Sequence, residues 1–175
     1  DTLVFRTSEH GKPTLISHDW QFNLSHSGDW LVLALCQQGP LGVDVEMGLH
    51  QRPVLPLAQR FYAPEEYQWL LALPSREQTS AFYRLWSRKE AVLKAQGAGI
   101  AAGLDKVRFV PEEEWRLDNR LDSRSYLVLD WHFGSGWLSL AAPTRQINGY
   151  LLDERLKSTP LDPMLIHTIF RESAS

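Results

Sequence analysis

The stretch GVDVE, residues 42–46, places two carboxylates among the valines of a strand-like run. Successive side chains of a strand point to opposite faces, so Asp44 and Glu46 share one face, with Cα atoms about 6.6 Å apart. Two interpretations are open from this spacing alone. Either the face meets water, as one face of an antiparallel sheet commonly does, or the two carboxylates converge on one cation.

Composition and charge limit the classes of protein to which the chain can belong. The chain has 175 residues, 43% of them hydrophobic, which suits one domain or two small lobes with a sizeable core. Lys plus Arg total 18 against 21 Asp plus Glu, a net charge of −3, so we expect neither nucleic acid nor a membrane as a partner. No apolar run approaches the ~20 residues of a membrane helix, and the first residues do not resemble a signal peptide.

Two further features of the sequence are its single cysteine, which bears on the cellular location, and its first residue, which bears on an upstream segment. Cys36 lies in the apolar run WLVLALC and is expected to be a small buried hydrophobe. One cysteine allows no disulfide within the chain, so we expect a reducing, cytoplasmic location. The chain opens at Asp1 without Met, which indicates that an upstream segment was removed or is absent from this sequence.

Local patterns in the first half predict a turn, a loop and a hairpin. The turn GKP at 11–13 presents Lys12, because Gly permits unusual backbone angles and Pro restricts its own. A polar loop, FNLSHSG at 22–28, leads into the strand-like WLVLAL at 30–35. The spacer QQGP at 37–40 suits a hairpin that pairs this strand with GVDVE.

Two helices are predicted, at 63–73 and at about 77–96, with Gly97 and Gly99 stopping the second. Strands are expected at 107–110, 126–133 and 137–142, with the last two joined by a GSG hairpin at 134–136. The charged run 111–124 reads as a solvated connection.

Three charged residues of the second helix stand out on a helical wheel. Lys89 lies within about 20° of Phe82, inside the apolar stripe, and Glu90 and Lys94 lie together on its border. In one interpretation the stem of Lys89 packs while its head emerges at a cleft edge to hold substrate. In the other, Lys89 is an ordinary surface lysine, and Glu90 and Lys94 form a weak exposed pair.

The polar residues favour phosphate chemistry. Asp44, Glu46 and Glu90 offer oxygen ligands of the kind that Mg²⁺ prefers, and no close Cys or His cluster offers a zinc site. The cations that suit phosphate oxygens are Lys12, His26, Lys89 and Lys94. A lone loop histidine is often structural, serines at such positions are often turn formers, and no G-x-S-x-G pattern marks a serine nucleophile.

Five blocks occur in order: GKP (11–13), FNLSHSG (22–28), GVDVE (42–46), FYAPEE (61–66) and FYRLWSRKEAVLKAQGAG (82–99). In this order the chain closely resembles the phosphopantetheinyl transferases, specifically the larger two-lobed type. That family moves phosphopantetheine from coenzyme A to a serine of an acyl or peptidyl carrier protein, leaving adenosine 3′,5′-bisphosphate. The carrier could serve fatty acid, polyketide or nonribosomal peptide synthesis.

The resemblance implies a role for each matched residue. Asp44, Glu46 and Glu90 would hold Mg²⁺ against the diphosphate, with Glu90, then Asp44, or a bound water as the base that accepts the serine proton. Coenzyme A would be bound by Lys12, Ser25, His26, Lys89 and Lys94. Within that set, His26 is expected near the 3′-phosphate and Lys94 at the reacting phosphate.

The resemblance also implies a fold, which is α+β, pseudo-symmetric and two-lobed, with helices packed on antiparallel sheets. The expected division is a remnant or shortened first lobe at 1–40, a second lobe with the metal site at 41–150, and a C-terminal extension at 151–175. Only about forty residues precede GVDVE, so either the start of the lobe is missing or another chain completes the cleft. Two alternative functions are a Mg²⁺-dependent phosphohydrolase of a nucleotide diphosphate and a non-catalytic module that binds coenzyme A or a carrier protein.

Overall fold

The computed structural model describes residues 2–48, 52–99, 102–110, 115–144, 146, 148, 150–152 and 158–160. Within these ranges the protein is a mixed α and β structure in which every strand pairing is antiparallel. The helices are α1 (Val54–Phe61), α2 (Pro64–Ala72) and α3 (Ser75–Gln96). None of these helices is long and apolar enough to cross a bilayer.

The strands of the described residues form one three-stranded sheet and four two-stranded pairs. In the sheet, β9 (Gly136–Ala142) lies between β5 (Gly42–Glu46) and β8 (Leu127–Phe133). The pairs are β1 (Phe5–Thr7) with β2 (Pro13–Leu15), β3 (Gln21–Ser27) with β4 (Trp30–Cys36), β6 (Val107–Val110) with β7 (Arg116–Asn119), and β10 (Tyr150–Leu152) with β11 (Ser158–Pro160).

The elements with strong local signals form as predicted. The GKP turn joins β1 to β2, and the GSG hairpin joins β8 to β9. Both predicted helices form within two residues of their expected bounds, and Gly97 ends α3 in the left-handed conformation at φ 73°. Cys36 is buried, as its apolar surroundings indicated.

The predicted pairing of the first strands is wrong. Residues 22–27 form strand β3 rather than a loop, and β3 pairs with β4 across the tight turn at Gly28. The partner of β5 is therefore not β4 but β9, more than ninety residues later in the chain. The short turn makes β3 the nearest partner of β4, which leaves β5 to enter the central sheet, where its first four residues are all buried.

Helix α1 and strand β7 are among the elements that were not predicted. Helix α1 begins after Pro53 without a side-chain cap, so the usual start signal is missing from its sequence. Strand β7 lies in the charged run 111–124, where a solvated connection was expected; residues 111–114 of that run lie outside the described residues. Its pairing with β6 decides its conformation.

The sheet lies between two apolar clusters. On one side, α3 and the other helices pack around Phe82, Val92 and Leu93. On the other side, the β3–β4 hairpin covers Val43 and Leu140. Because side chains alternate along β5, Val43 faces the hairpin while Asp44 faces the opposite way, toward α3.

Helix α3 approaches β5 most closely at Gly42. A Cβ atom on Gly42 would lie 2.0 Å from the carbonyl oxygen of Ala91 and 2.4 Å from the backbone nitrogen of Ala95. Both contacts are with helix backbone, which cannot move aside as a flexible side chain can. Only glycine therefore allows the helix to lie against the strand that carries Asp44.

Gly42→Ala is expected to lower the free energy of unfolding by about 2–3 kcal/mol, because helix and strand must separate to admit the methyl group. Urea denaturation measures the loss. Gly11→Ala is the matched control: Gly11 has φ 83° but nothing near its missing Cβ, so only the left-handed backbone cost of about 1–2 kcal/mol applies. Equal stability of Gly42→Ala and the parent would contradict the close approach.

Candidate active site

The carboxylate of Asp44 is enclosed rather than exposed. Asp44 is only 5% exposed, on the face of β5 that meets α3, while Glu46 is partly buried at the end of the same strand. The interpretation in which this face simply meets water is therefore wrong for Asp44. A buried carboxylate is costly unless a cation or hydrogen-bond donors compensate it.

Lys94 provides that compensation. Its Nζ donates to Asp44 Oδ1 at 2.6 Å, to Ser25 Oγ at 3.0 Å and to the Val43 carbonyl oxygen at 3.2 Å. The weak exposed pair of Glu90 and Lys94 does not form, because the ammonium turns to β5 instead. Helix, strand and hairpin thus meet at one lysine.

Two carboxylate oxygens at this junction remain without a partner. Asp44 Oδ2 and Glu90 Oε1 are buried, and neither accepts a hydrogen bond from any of the described residues. Glu90 as a whole is 6% exposed. Buried polar atoms in native proteins are nearly always paired, so one orphaned oxygen on β5 and one on α3 need an explanation.

Proton affinities at the junction are raised. Burial raises the pKa of Glu90 to about 7, and the charges of Asp44 and Glu46 add to this effect while Lys94 opposes it. Burial also raises the pKa of Asp44, against the attraction of Lys94. The pKa of Glu46 is raised by burial and then by Asp44. Three carboxyl groups therefore share a region that holds too little positive charge for all of them.

The donor set suits a hard divalent cation. Carboxylate oxygens that lack donors and repel one another are the groups that Mg²⁺ binds. In the part of the chain that the structure describes, however, no three His, Cys, Asp or Glu side chains stand together as a ready metal site. Lys94 occupies Asp44 Oδ1, while Asp44 Oδ2 and Glu90 Oε1 are buried and accept no hydrogen bond from the described residues.

A row of side chains from β3 binds the edge of β5 that β9 does not pair with. We call this row the polar seam. The polar seam consists of the side chains of Asn23, Ser25 and Ser27. Their oxygens accept three backbone N–H hydrogen bonds: from Val43 to Asn23 Oδ1 at 2.8 Å, from Val45 to Ser25 Oγ at 3.1 Å and from Met47 to Ser27 Oγ at 3.1 Å. The hairpin is thus joined to the carboxylate strand by side chains rather than by a backbone ladder.

Lys12 reaches the C-terminal end of α3. Its Nζ donates to the carbonyl oxygens of Lys94 at 2.6 Å, Leu41 at 3.0 Å and Ala95 at 3.1 Å. An ammonium at the last carbonyls of a helix satisfies unpaired acceptors and complements the helix dipole. Burial, followed by the charge of Arg124, lowers the pKa of Lys12 to about 8.

His26 is exposed and is not brought to the carboxylates. Its neighbours Ser25 and Ser27 face β5, so the alternation of β3 directs His26 to the opposite face. The same face of the hairpin exposes Leu24, Leu31, Leu33 and Leu35. The sequence placed Ser25 and His26 together, but the strand separates their side chains.

The structure contradicts the expectation that the head of Lys89 emerges at a cleft edge. Lys89 is fully buried, and its Nζ donates to Glu66 Oε2 at 2.7 Å and to the backbone oxygens of Leu104 and Val107. The ammonium lies on the far side of α3 from Asp44, among α2 and β6. Its central place in the apolar stripe indicated this burial, because a lysine there requires a buried counter-charge.

Sequence reasoning missed that counter-charge. Glu66 stands in the first turn of α2, where an acidic residue is explained by the helix dipole alone. In the structure Glu66 also accepts hydrogen bonds from the backbone of Ala63 and Phe109. A second buried pair, Arg88 with Asp130, joins α3 to β8 and likewise had no local signal.

Comparisons with known proteins found a matching family model and similar proteins. Residues 40–143 match the model of the 4′-phosphopantetheinyl transferase superfamily. The chain is similar to the 4′-phosphopantetheinyl transferase psf-1 of Bacillus pumilus, with 42% identity over 123 residues, which are 69% of this chain and 51% of that protein. It is also similar to the 4′-phosphopantetheinyl transferase Sfp of Bacillus subtilis (strain 168), with 44% identity over 105 residues, 59% of this chain and 45% of that protein. The chain thus spans about half the length of these relatives.

Proposed function

The chain belongs to the 4′-phosphopantetheinyl transferase superfamily, and from that premise we propose that it transfers phosphopantetheine from coenzyme A to a serine of an acyl or peptidyl carrier protein. The observation that carries the proposal is the junction of β5 and α3, where Asp44 Oδ2 and Glu90 Oε1 are buried and accept no hydrogen bond from the described residues, and where Lys94 pairs with Asp44. Such a junction suits a diphosphate that arrives with a divalent cation.

We assign Asp44, Glu46 and Glu90 as the residues that would hold Mg²⁺. When bound, the ion would neutralise charge on the diphosphate oxygens. The orphaned oxygens and the raised proton affinities of these carboxyl groups support the assignment, since a cation would remove both costs. We expect Lys94 to exchange its contact with Asp44 for a phosphate oxygen when substrate binds.

In the proposed reaction the serine oxygen forms a bond to the β-phosphorus of coenzyme A. The bond from that phosphorus to the bridging oxygen breaks, and adenosine 3′,5′-bisphosphate leaves. Glu90 is the proposed acceptor of the serine proton, with Asp44 as the second candidate; a pKa of about 7 makes Glu90 a stronger base than an ordinary glutamate.

Coenzyme A would be bound by Lys12, His26 and Lys94. The imidazole of His26 is exposed and therefore accessible to the 3′-phosphate of coenzyme A. Lys12, in contrast, must leave its three carbonyl partners before its ammonium can bind an anion. Lys89 is not part of this proposal, because its ammonium is fully buried and paired.

We also retain the two-lobed, pseudo-symmetric arrangement as a proposal, with lobes at 1–40 and 41–150, an extension at 151–175 and a cytoplasmic location. The exposed leucine face of the β3–β4 hairpin supports the two-lobed arrangement, because an exposed apolar surface of this kind is typical of a surface that further protein covers.

The test is incubation of the protein with coenzyme A, Mg²⁺ and candidate carrier proteins, followed by mass spectrometry of the carriers. We expect a mass increase of one phosphopantetheine, which requires Mg²⁺ and the acceptor serine and is lost in a carrier with that serine replaced by Ala. Cleavage of coenzyme A without a carrier would instead support the phosphohydrolase. Binding of coenzyme A or a carrier without any reaction would support the non-catalytic module.

A further inference from the structure

Ser25 is the residue of the polar seam that contacts the proposed catalytic groups. Its hydroxyl donates to Asp44 Oδ1 at 3.1 Å and accepts from the Val45 backbone N–H at 3.1 Å and from Lys94 Nζ at 3.0 Å. A serine hydroxyl has one donor hydrogen and two acceptor lone pairs. The hydroxyl therefore uses its one donor and both acceptor capacities, and Ser25 is only 7% exposed.

These three bonds connect different parts of the site. The bond from Val45 ties the hydroxyl to the backbone of the strand that carries Asp44, and the other two tie it to the Asp44 carboxylate and the Lys94 ammonium. Asp44 Oδ1 thereby receives two donors, and Oδ2 receives none from the described residues. The hydroxyl thus selects which carboxylate oxygen stays available.

We propose that Ser25 is a positioning residue, which holds the Asp44 carboxylate and the Lys94 ammonium relative to β5 so that Asp44 Oδ2 is available to a divalent cation. The inference rests on the proposed function and deepens it. It differs from the expected role of Ser25 as a direct ligand of coenzyme A, because the hydroxyl already has its full set of partners within the protein.

The seam offers a matched control. Ser27 accepts the equivalent bond from the backbone N–H of Met47, the residue after β5, but makes no hydrogen bond to Asp44 or Lys94. Ser25→Ala and Ser27→Ala each remove one seam hydrogen bond, so we expect both variants to lose thermal stability, and Ser25→Ala to lose more because it also removes the bonds to Asp44 and Lys94. Only Ser25→Ala also releases Asp44 and Lys94.

The experiment measures Mg²⁺ affinity by calorimetry without coenzyme A, together with Tm, kcat and KM for coenzyme A. For Ser25→Ala we expect Mg²⁺ binding to weaken about tenfold or more and kcat to fall, as for other partners of metal ligands. Ser27→Ala should stay within about twofold of the parent in both Mg²⁺ affinity and kcat. Ser25→Thr, which keeps the hydroxyl, should restore Mg²⁺ affinity relative to Ser25→Ala.

Three results would overturn the inference. Equal Mg²⁺ affinities of Ser25→Ala and Ser27→Ala would show a merely structural seam. A rise in KM for coenzyme A with unchanged Mg²⁺ affinity and kcat would make Ser25 a direct ligand. A parent protein that binds no Mg²⁺ would remove the basis of the inference. A parent that binds Mg²⁺ but transfers nothing would refute the proposed function alone, and the Mg²⁺ affinities of the variants would still decide the role of Ser25.

Discussion

Glu90→Gln is expected to lower the rate of phosphopantetheine transfer by about 10²–10⁴-fold, the usual contribution of a general base. Gln keeps the shape of the side chain but can neither accept the serine proton nor bring a negative charge to Mg²⁺. The measurement is kcat at saturating coenzyme A, carrier protein and Mg²⁺. The same substitution should stabilise the metal-free protein at alkaline pH, because it removes a buried charge without a partner.

The pH dependence of that stabilisation has a definite sign. The folded pKa of Glu90 is about 7 against an ordinary value of 4.5, so between these values the folded state binds more protons than the unfolded state. The Glu90 contribution to stability is therefore present below about pH 4.5 and is lost as the pH rises through about 7. Relative to the parent, Glu90→Gln should gain about 2–3 kcal/mol between pH 5 and pH 8.

Glu77→Gln is the matched control, because Glu77 lies on the same helix, with its side chain 49% exposed and paired with exposed Arg76. It should leave kcat unchanged and alter stability by less than about 0.5 kcal/mol at either pH. Thermal unfolding at pH 5 and pH 8, with a chelator present to keep the protein metal-free, measures the stabilities. Transfer by Glu90→Gln within tenfold of the parent would contradict its catalytic assignment, and equal Tm values at pH 8 would contradict its unpaired burial.

Lys89→Met is expected to destabilise the protein by about 3–5 kcal/mol, because it leaves Glu66 as a buried charge without its cation. The carbonyl groups of Leu104 and Val107 also lose their donor. In a chain of this size Tm should fall by on the order of 10 °C. This reverses the expectation from the helical wheel, in which the head of Lys89 lies at a cleft edge and its removal spares stability.

Lys106→Met is the control for charge removal, since Lys106 is exposed; its Tm should match that of the parent. Adding Glu66→Gln to Lys89→Met should recover part of the lost stability by removing the uncompensated charge. At a temperature where Lys89→Met is folded, its KM for coenzyme A should stay within about twofold of the parent. A Tm within 2 °C of the parent, or a large rise in KM, would restore the substrate-binding assignment.

Local sequence patterns were sufficient for the elements whose signals lie within a few residues. Pro64 with Glu65 and Glu66 begins α2, Gly97 ends α3, and the GSG turn joins two apolar strands. In each case the deciding interactions are between near neighbours: the helix dipole, the left-handed backbone of glycine and the two-residue alternation of strands.

Long-range pairing could not be predicted in this way. The spacer QQGP is compatible with a β4–β5 hairpin, but β4 pairs with β3 and β5 pairs with β9. A strand with both faces buried takes the partner that lets two apolar layers close around it, and that choice depends on residues nearly a hundred positions away. Helix α1, which lacks a capping side chain, is likewise formed through tertiary packing.

The candidate site divides in the same manner. The candidate residues could be proposed from the sequence alone, because the types and spacing of Asp44, Glu46, Glu90 and Lys94 are local properties of one strand and one helix. Their partners became known only from the three-dimensional structure: Lys94 turns to Asp44, Ser25 joins them through the polar seam, and Lys89 pairs with Glu66 in the interior. The physical reason is that the cost of a buried charge depends on what lies opposite it in space, and the chain sequence does not contain that information locally.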